Sequence, residues 1–167
     1  MTQTVSSRKR RMLRMMNLWP PLLGAGIRVV RMDAEMREID VEMRMRRWNR
    51  NYVGAHFGGS LFAMTDPFYM MMVMENLGRG FVVWDKAASI RFRRPGRATV
   101  RAEFRLTKER LAEIRSATEA EGISEPRFAV EVKDVEGAVV AEVERVLFCA
   151  TEAAYAERLR ARSTERR

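Results

Sequence analysis

The chain has 167 residues, 47% of them hydrophobic, which is enough to bury the core of one domain and excludes an intrinsically disordered chain. Its net charge of +9 gathers at the ends: residues 1–14 carry five cations and no acid, and residues 153–167 carry five arginines against two glutamates. The body between is nearly neutral, which excludes a groove-reading nucleic-acid domain; the tails are read as solvated, with at most weak contact to anionic lipid or nucleic acid.

Other classes fall away on single residues. Cys149 is alone, so no disulfide framework or cysteine metal site forms within one chain, and His56 is the one histidine, which excludes a multi-histidine metal centre. Arg14, Asn17 and Pro20-Pro21 interrupt the apolar character of the N-terminus, unlike a signal peptide. No run reaches the roughly 18 apolar residues of a membrane span. The expectation is a soluble, cytoplasmic protein with no metal and no bound cofactor.

In chain order, residues 9–18 suit a short amphipathic helix stopped by Pro20-Pro21, followed by a turn at Gly24-Ala-Gly26. Ile27 to Met32 reads as a strand. Glu38 to Arg46 alternates, with Ile39, Val41, Met43 and Met45 on one face and charges on the other, as in a half-buried antiparallel strand.

The stretch from Asn51 to Leu77 then organises the rest. It opens with small and polar residues and becomes apolar from Leu61 to Met74, with Asp66 the single charge inside that run and Pro67 directly after it. Ser60 to Leu77 has the length of one helix with little polar face, so it needs cover on most sides. Several of the 13 methionines lie here, and unbranched Met suits an irregular apolar pocket or an ordinary packed core.

Strands are expected over Phe81–Arg93, Ala98–Leu106, Phe128–Lys133 and Val139–Cys149. A small helix over Lys108–Ala120 is inserted among them, and an Arg-rich helical tail follows Glu152. The fold class is α+β: an antiparallel sheet of about six strands wrapped around a central apolar helix. Residues 1–24 are read as a basic helix and turn, 25–150 as one domain and 151–167 as a basic tail. Open sheet edges make pairing of two copies a natural way to cover them.

Two motifs resemble a known family. Asn51-x6-Gly58-Gly59-x6-Asp66, followed by Ile90-x-Phe92-x-Arg94-Pro95-Gly96, is similar to the hotdog-fold thioesterases, in particular the phenylacetyl-CoA-thioesterase-like branch. The resemblance covers roughly residues 25–150. It implies a homodimer or dimer of dimers with the active site between subunits, and an acyl-CoA as substrate.

On that resemblance Asp66 is the general base or nucleophile. A backbone amide at Gly58 or Gly59 polarises the thioester carbonyl, Asn51 holds substrate or water, and Asp85 falls near a water-orienting position. Arg91, Arg93 and Arg94 are candidates for the coenzyme A phosphates, and His56 for substrate contact. One departure stands out: the family has histidine directly before the glycine pair, where this chain has Phe57, with His56 one place earlier.

Each residue also has a structural reading. Asp66-Pro67 is a good start for a helix, with Asp66 as its cap. Asn51 equally suits a turn, His56 a loop hydrogen bond, and the arginines a solvated strand face. No Gly-x-Ser-x-Gly elbow exists, which excludes a serine hydrolase of that type. The alternatives to a thioesterase are a non-catalytic hotdog module that binds an acyl group or lipid, and a structural or regulatory homo-oligomer with basic tails.

Overall fold

The computed structural model describes residues 7–164. These form α1 (Ser7–Leu18), α2 (Pro20–Ala25), β1 (Ile27–Met32), β2 (Glu38–Met43), α3 (Gly58–Ala63), α4 (Phe68–Leu77), β3 (Phe81–Phe92) and β4 (Val100–Arg105). There follow α5 (Lys108–Glu121), β5 (Ile123–Ser124), β6 (Arg127–Asp134), β7 (Val139–Thr151) and α6 (Glu152–Thr164). The strands make one antiparallel sheet in the order β1-β2-β4-β6-β7-β3, with the short β5 paired to β7 as a seventh.

Alternation along the strands creates the inner face. Ile39, Val41 and Met43 are buried on β2 and sit opposite Phe104, Ala102 and Val100 of β4. Against them packs α4, whose Phe68, Tyr69, Met72 and Val73 are all buried. Phe68 and Tyr69 approach Phe104 with ring centroids 4.8 and 5.2 Å apart, and Tyr69 also stacks on Phe128 at 4.3 Å. The Tyr69 hydroxyl donates to the Ala129 carbonyl at 3.3 Å, so its one polar atom is satisfied inside an apolar contact. The sheet does wrap an apolar helix.

The segment read as a proline stop and a turn is itself a helix, α2, because proline fits a first helical turn, and two further boundaries differ from expectation, each for a local reason. The single helix expected from Ser60 to Leu77 is two, α3 and α4, separated at Met64–Pro67. Proline has no N–H to donate to the carbonyl four residues back, and its ring crowds that turn, so the helix cannot run through Pro67. The Thr65 hydroxyl donates instead to the Phe62 carbonyl at 2.8 Å and the Asp66 amide to Ala63 at 3.1 Å, closing α3 as a tight turn. Asp66 does not cap α4, whose capping residue is Pro67 with no side-chain bond.

The strand expected over Glu38–Arg46 stops at Met43. The buried Asn49 side chain competes for the backbone beyond it. Its Oδ1 accepts from the Arg46 amide at 2.7 Å, and its Nδ2 donates to the carbonyls of Arg44 (2.8 Å) and Ala25 (3.1 Å).

The two sheet edges are treated differently. On the outer edge of β1, Asn17 of α1 clasps Val29: its Nδ2 donates to the Val29 carbonyl (3.1 Å) and its Oδ1 accepts from the Val29 amide (2.8 Å). The opposite edge, β3, pairs with β7 on one side only, and its second half is largely exposed. No helix among the described residues is long and apolar enough to cross a membrane.

Candidate active site

The break between α3 and α4 holds the first group of candidate residues. It presents Asp66, whose side chain is 58% exposed, against Arg145 of β7, whose side chain is 1% exposed. Arg145 Nη1 donates to Asp66 Oδ1 at 2.8 Å and to Asp85 Oδ1 at 3.3 Å. Its Nη2 makes long contacts with the Phe62 carbonyl (3.5 Å) and Thr65 Oγ1 (3.4 Å), and the guanidinium lies 5.1 Å from the centre of the Phe62 ring. Asp85 reaches this point from β3 just before a bulge, where the register shifts between Asp85 and Ala87. One buried cation thus joins two carboxylates from distant parts of the chain.

Burial is the main influence on Asp85 and holds its carboxyl above the usual range; Arg145 opposes the shift and the Asp66 charge adds to it. The sign of the pH effect follows. An acid raised on folding favours the folded state where it is protonated, so its contribution is present below the unfolded value and lost as pH rises through the folded one. Asp85→Asn removes this opposing slope. Urea midpoints of the variant should therefore climb more steeply with pH, from about 3.9 upward, than those of the wild type; parallel curves would contradict the shift.

The remaining candidates gather elsewhere. Asn51, His56, Gly58, Arg93 and Arg94 line a cleft of about 380 Å³ together with Leu61, Phe92 and Pro95. Asn51 shapes its rim, with Oδ1 accepting from the amides of Val53 (3.1 Å) and Ala55 (2.9 Å) and Nδ2 3.4 Å from the His56 carbonyl. His56 is buried, and its Nε2 lies 2.7 Å from the Ala98 carbonyl. A carbonyl only accepts, so Nε2 carries the proton; burial lowers the pKa and favours the neutral ring.

The glycine pair opens α3, where first-turn amides have no acceptor within the helix. A Cβ on Gly58 would come 2.9 Å from the Phe92 ring, and one on Gly59 2.5 Å from Phe57, so both positions are tight. Phe57 itself is exposed. Arg93 is held by Glu142 through bonds of 2.9 and 2.7 Å, and Arg94 is paired with Asp134. Arg91 is exposed on β3, and neither it nor Gly59 lines the cleft.

Within one chain, then, Asp66 and Asp85 come together on Arg145, while Asn51, His56, Gly58, Arg93 and Arg94 share the cleft. Arg145 was not foreseen. Its signal is nonetheless present in the sequence: Ala141, Val143, Arg145, Leu147 and Cys149 fall on one phase of β7, and Arg145 is the single charge on that buried face.

Comparison with known proteins agrees with this architecture. A 1.5 Å crystal structure of PA5026 from Pseudomonas aeruginosa, described as a protein of unknown function and probable thioesterase, superposes with a TM-score of 0.77 at 21% identity, covering 86% of this chain and 95% of that one. The thioesterase HI1161 from Haemophilus influenzae gives 0.62 at 14% identity, with 89% and 93% covered. PaaI of the E. coli phenylacetic acid degradation operon gives 0.57 at 19% identity, with 85% and 91% covered. No curated protein matches significantly. These likenesses establish the hotdog fold of thioesterase-like proteins. The family described as "Domain of unknown function (DUF4442)" matches residues 8–148, most of the chain, and the protein belongs to that family.

Proposed function

We propose that the protein is an acyl-CoA thioesterase assembled from at least two copies, with Asp66 as the attacking carboxylate or the base that activates water. The observation that carries this reading is the Asp66 side chain: half-exposed at the break in the central helix, with one oxygen held 2.8 Å from a buried guanidinium. As nucleophile, Asp66 adds to the thioester carbonyl and expels the coenzyme A thiolate, forming an anhydride that water then splits to free acid and carboxylate. As base, it takes a proton from water as that water attacks the carbonyl; the C–S bond then breaks, the free acid and coenzyme A leave, and the proton passes from Asp66 to the thiolate.

The amides of Gly58 and Gly59 suit the developing oxyanion. Within one chain the two groups stand apart: Gly58 lines the cleft, whereas Asp66 lies outside it, paired with Arg145. A second copy, paired along the open β3 edge, would set its glycine pair against the first copy's Asp66. The cleft beside Gly58 suits the coenzyme A arm. Exposed pairs such as Arg93–Glu142 contribute little, so a phosphate can displace the carboxylate, with Arg91 and Arg94 as further candidates.

Phe57 favours a second reading, a hotdog module that binds an acyl-CoA without hydrolysing it. Incubating the protein with a chain-length series of acyl-CoAs and measuring free thiol separates the two. Catalytic thiol release supports the enzyme; retention of intact acyl-CoA on the protein at every chain length supports the module.

A further inference from the structure

The outward side of α1 and α2 is built differently from the rest of the surface. α1 docks on β1 through the buried Met16 and the Asn17 clasp, which turns Arg11, Arg14, Met15 and Leu18 outward. Those positions follow helical spacing along one stripe. The stripe continues into Trp19, which opens α2, and Leu23 one turn later. Met15, Leu18, Trp19 and Leu23 are 65%, 68%, 47% and 54% exposed, large apolar side chains left uncovered by the described residues. Along this part of the sequence the charge is of one sign: no Asp or Glu occurs before Asp33.

We propose that this face docks the protein on an anionic lipid surface, with Leu18, Trp19 and Leu23 entering the headgroup region and the cations against lipid phosphates. The pairing of Arg with Trp and Leu on one short helical surface is what an interfacial segment requires. Other occupants fit less well. A two-fold contact between copies would set this cationic stripe against itself, like charge facing like. A nucleic-acid backbone would satisfy the cations and leave the apolar residues in water. The proposal is independent of the thioesterase reading.

The test is co-sedimentation of the full chain with phosphatidylcholine vesicles with and without phosphatidylglycerol, followed also by tryptophan emission. Binding should require phosphatidylglycerol, weaken with salt, and carry a blue shift that Trp19→Phe removes while Trp48 and Trp84 remain. Replacing Arg11 and Arg14 by Gln should weaken it roughly fivefold per cation. Replacing Leu18 and Leu23 by Ser should weaken it at least about tenfold per side chain. Absence of binding to phosphatidylglycerol vesicles, or binding unaffected in both double variants, overturns the proposal. So does a change of oligomeric size in those variants, which would assign the face to a second copy.

Discussion

Replacing Arg145 by alanine is expected to cost roughly 3–5 kcal/mol of folding stability, the largest effect expected of any charge among the described residues. The reason is not that the ion pair is strong. Its partners are unequal: the Asp66 side chain is 58% exposed and can turn to water, whereas that of Asp85 is 24% exposed and has burial already working against its charge. Removing the guanidinium strands Asp85, opens space at a fully buried position and leaves the turn at Phe62 and Thr65 without its contacts. Arg145→Met separates these causes, since it refills the volume without restoring charge. It should recover part of the loss, and Arg145→Lys should fall between Arg145→Met and the wild type, because an ammonium keeps the charge but lacks the second nitrogen that contacts Phe62 and Thr65. Removing the same contact from the exposed side, by Asp66→Asn, should cost less than about 1 kcal/mol. Urea titrations at neutral pH measure all four; an Arg145→Ala loss no larger than that of Asp66→Asn would contradict this account of the cluster.

That asymmetry also explains what was legible in the sequence. Strands with clean alternation, such as Glu38–Met43, announced both their existence and their buried face, and the apolar stretch after Gly59 announced something that a sheet must cover. What failed to show was any feature decided by a competitor outside the segment. Met45 continues the alternation of β2, yet Asn49 takes the neighbouring backbone groups and the strand ends at Met43. Pro67 is visible in the sequence as a helix start, and its missing N–H is what divides the apolar stretch into α3 and α4. Asp66 stood out because it was charged among apolar neighbours. Arg145 meets the same criterion on β7, but flanking Glu142 and Glu144 give the strand an ordinarily charged appearance. The meeting of Asp66, Asp85 and Arg145 depends on the β3–β7 pairing and on the bulge after Asp85, which no local pattern encodes. The grouping of His56 and Asn51 in one cleft likewise depends on the loop closing onto Gly96 and Ala98.

Asp66→Asn is expected to remove thioester hydrolysis while leaving the protein folded and assembled. Asparagine keeps the shape and can still face Arg145, but it neither accepts a proton from water nor forms an anhydride with the acyl group. Loss of a positioned base alone is worth on the order of 10²–10⁴-fold in rate, and loss of a nucleophile that forms the intermediate is at least as severe. Because the substitution lies at an exposed position and costs little stability, a collapse in turnover cannot be assigned to unfolding. The direct measurement is thiol release at saturating acyl-CoA by the wild type and Asp66→Asn, prepared in parallel and matched in circular dichroism and oligomeric size. Hydrolysis by the wild type and a loss of at least about 10²-fold in the variant are expected; equal turnover by the two proteins would contradict a catalytic role for Asp66.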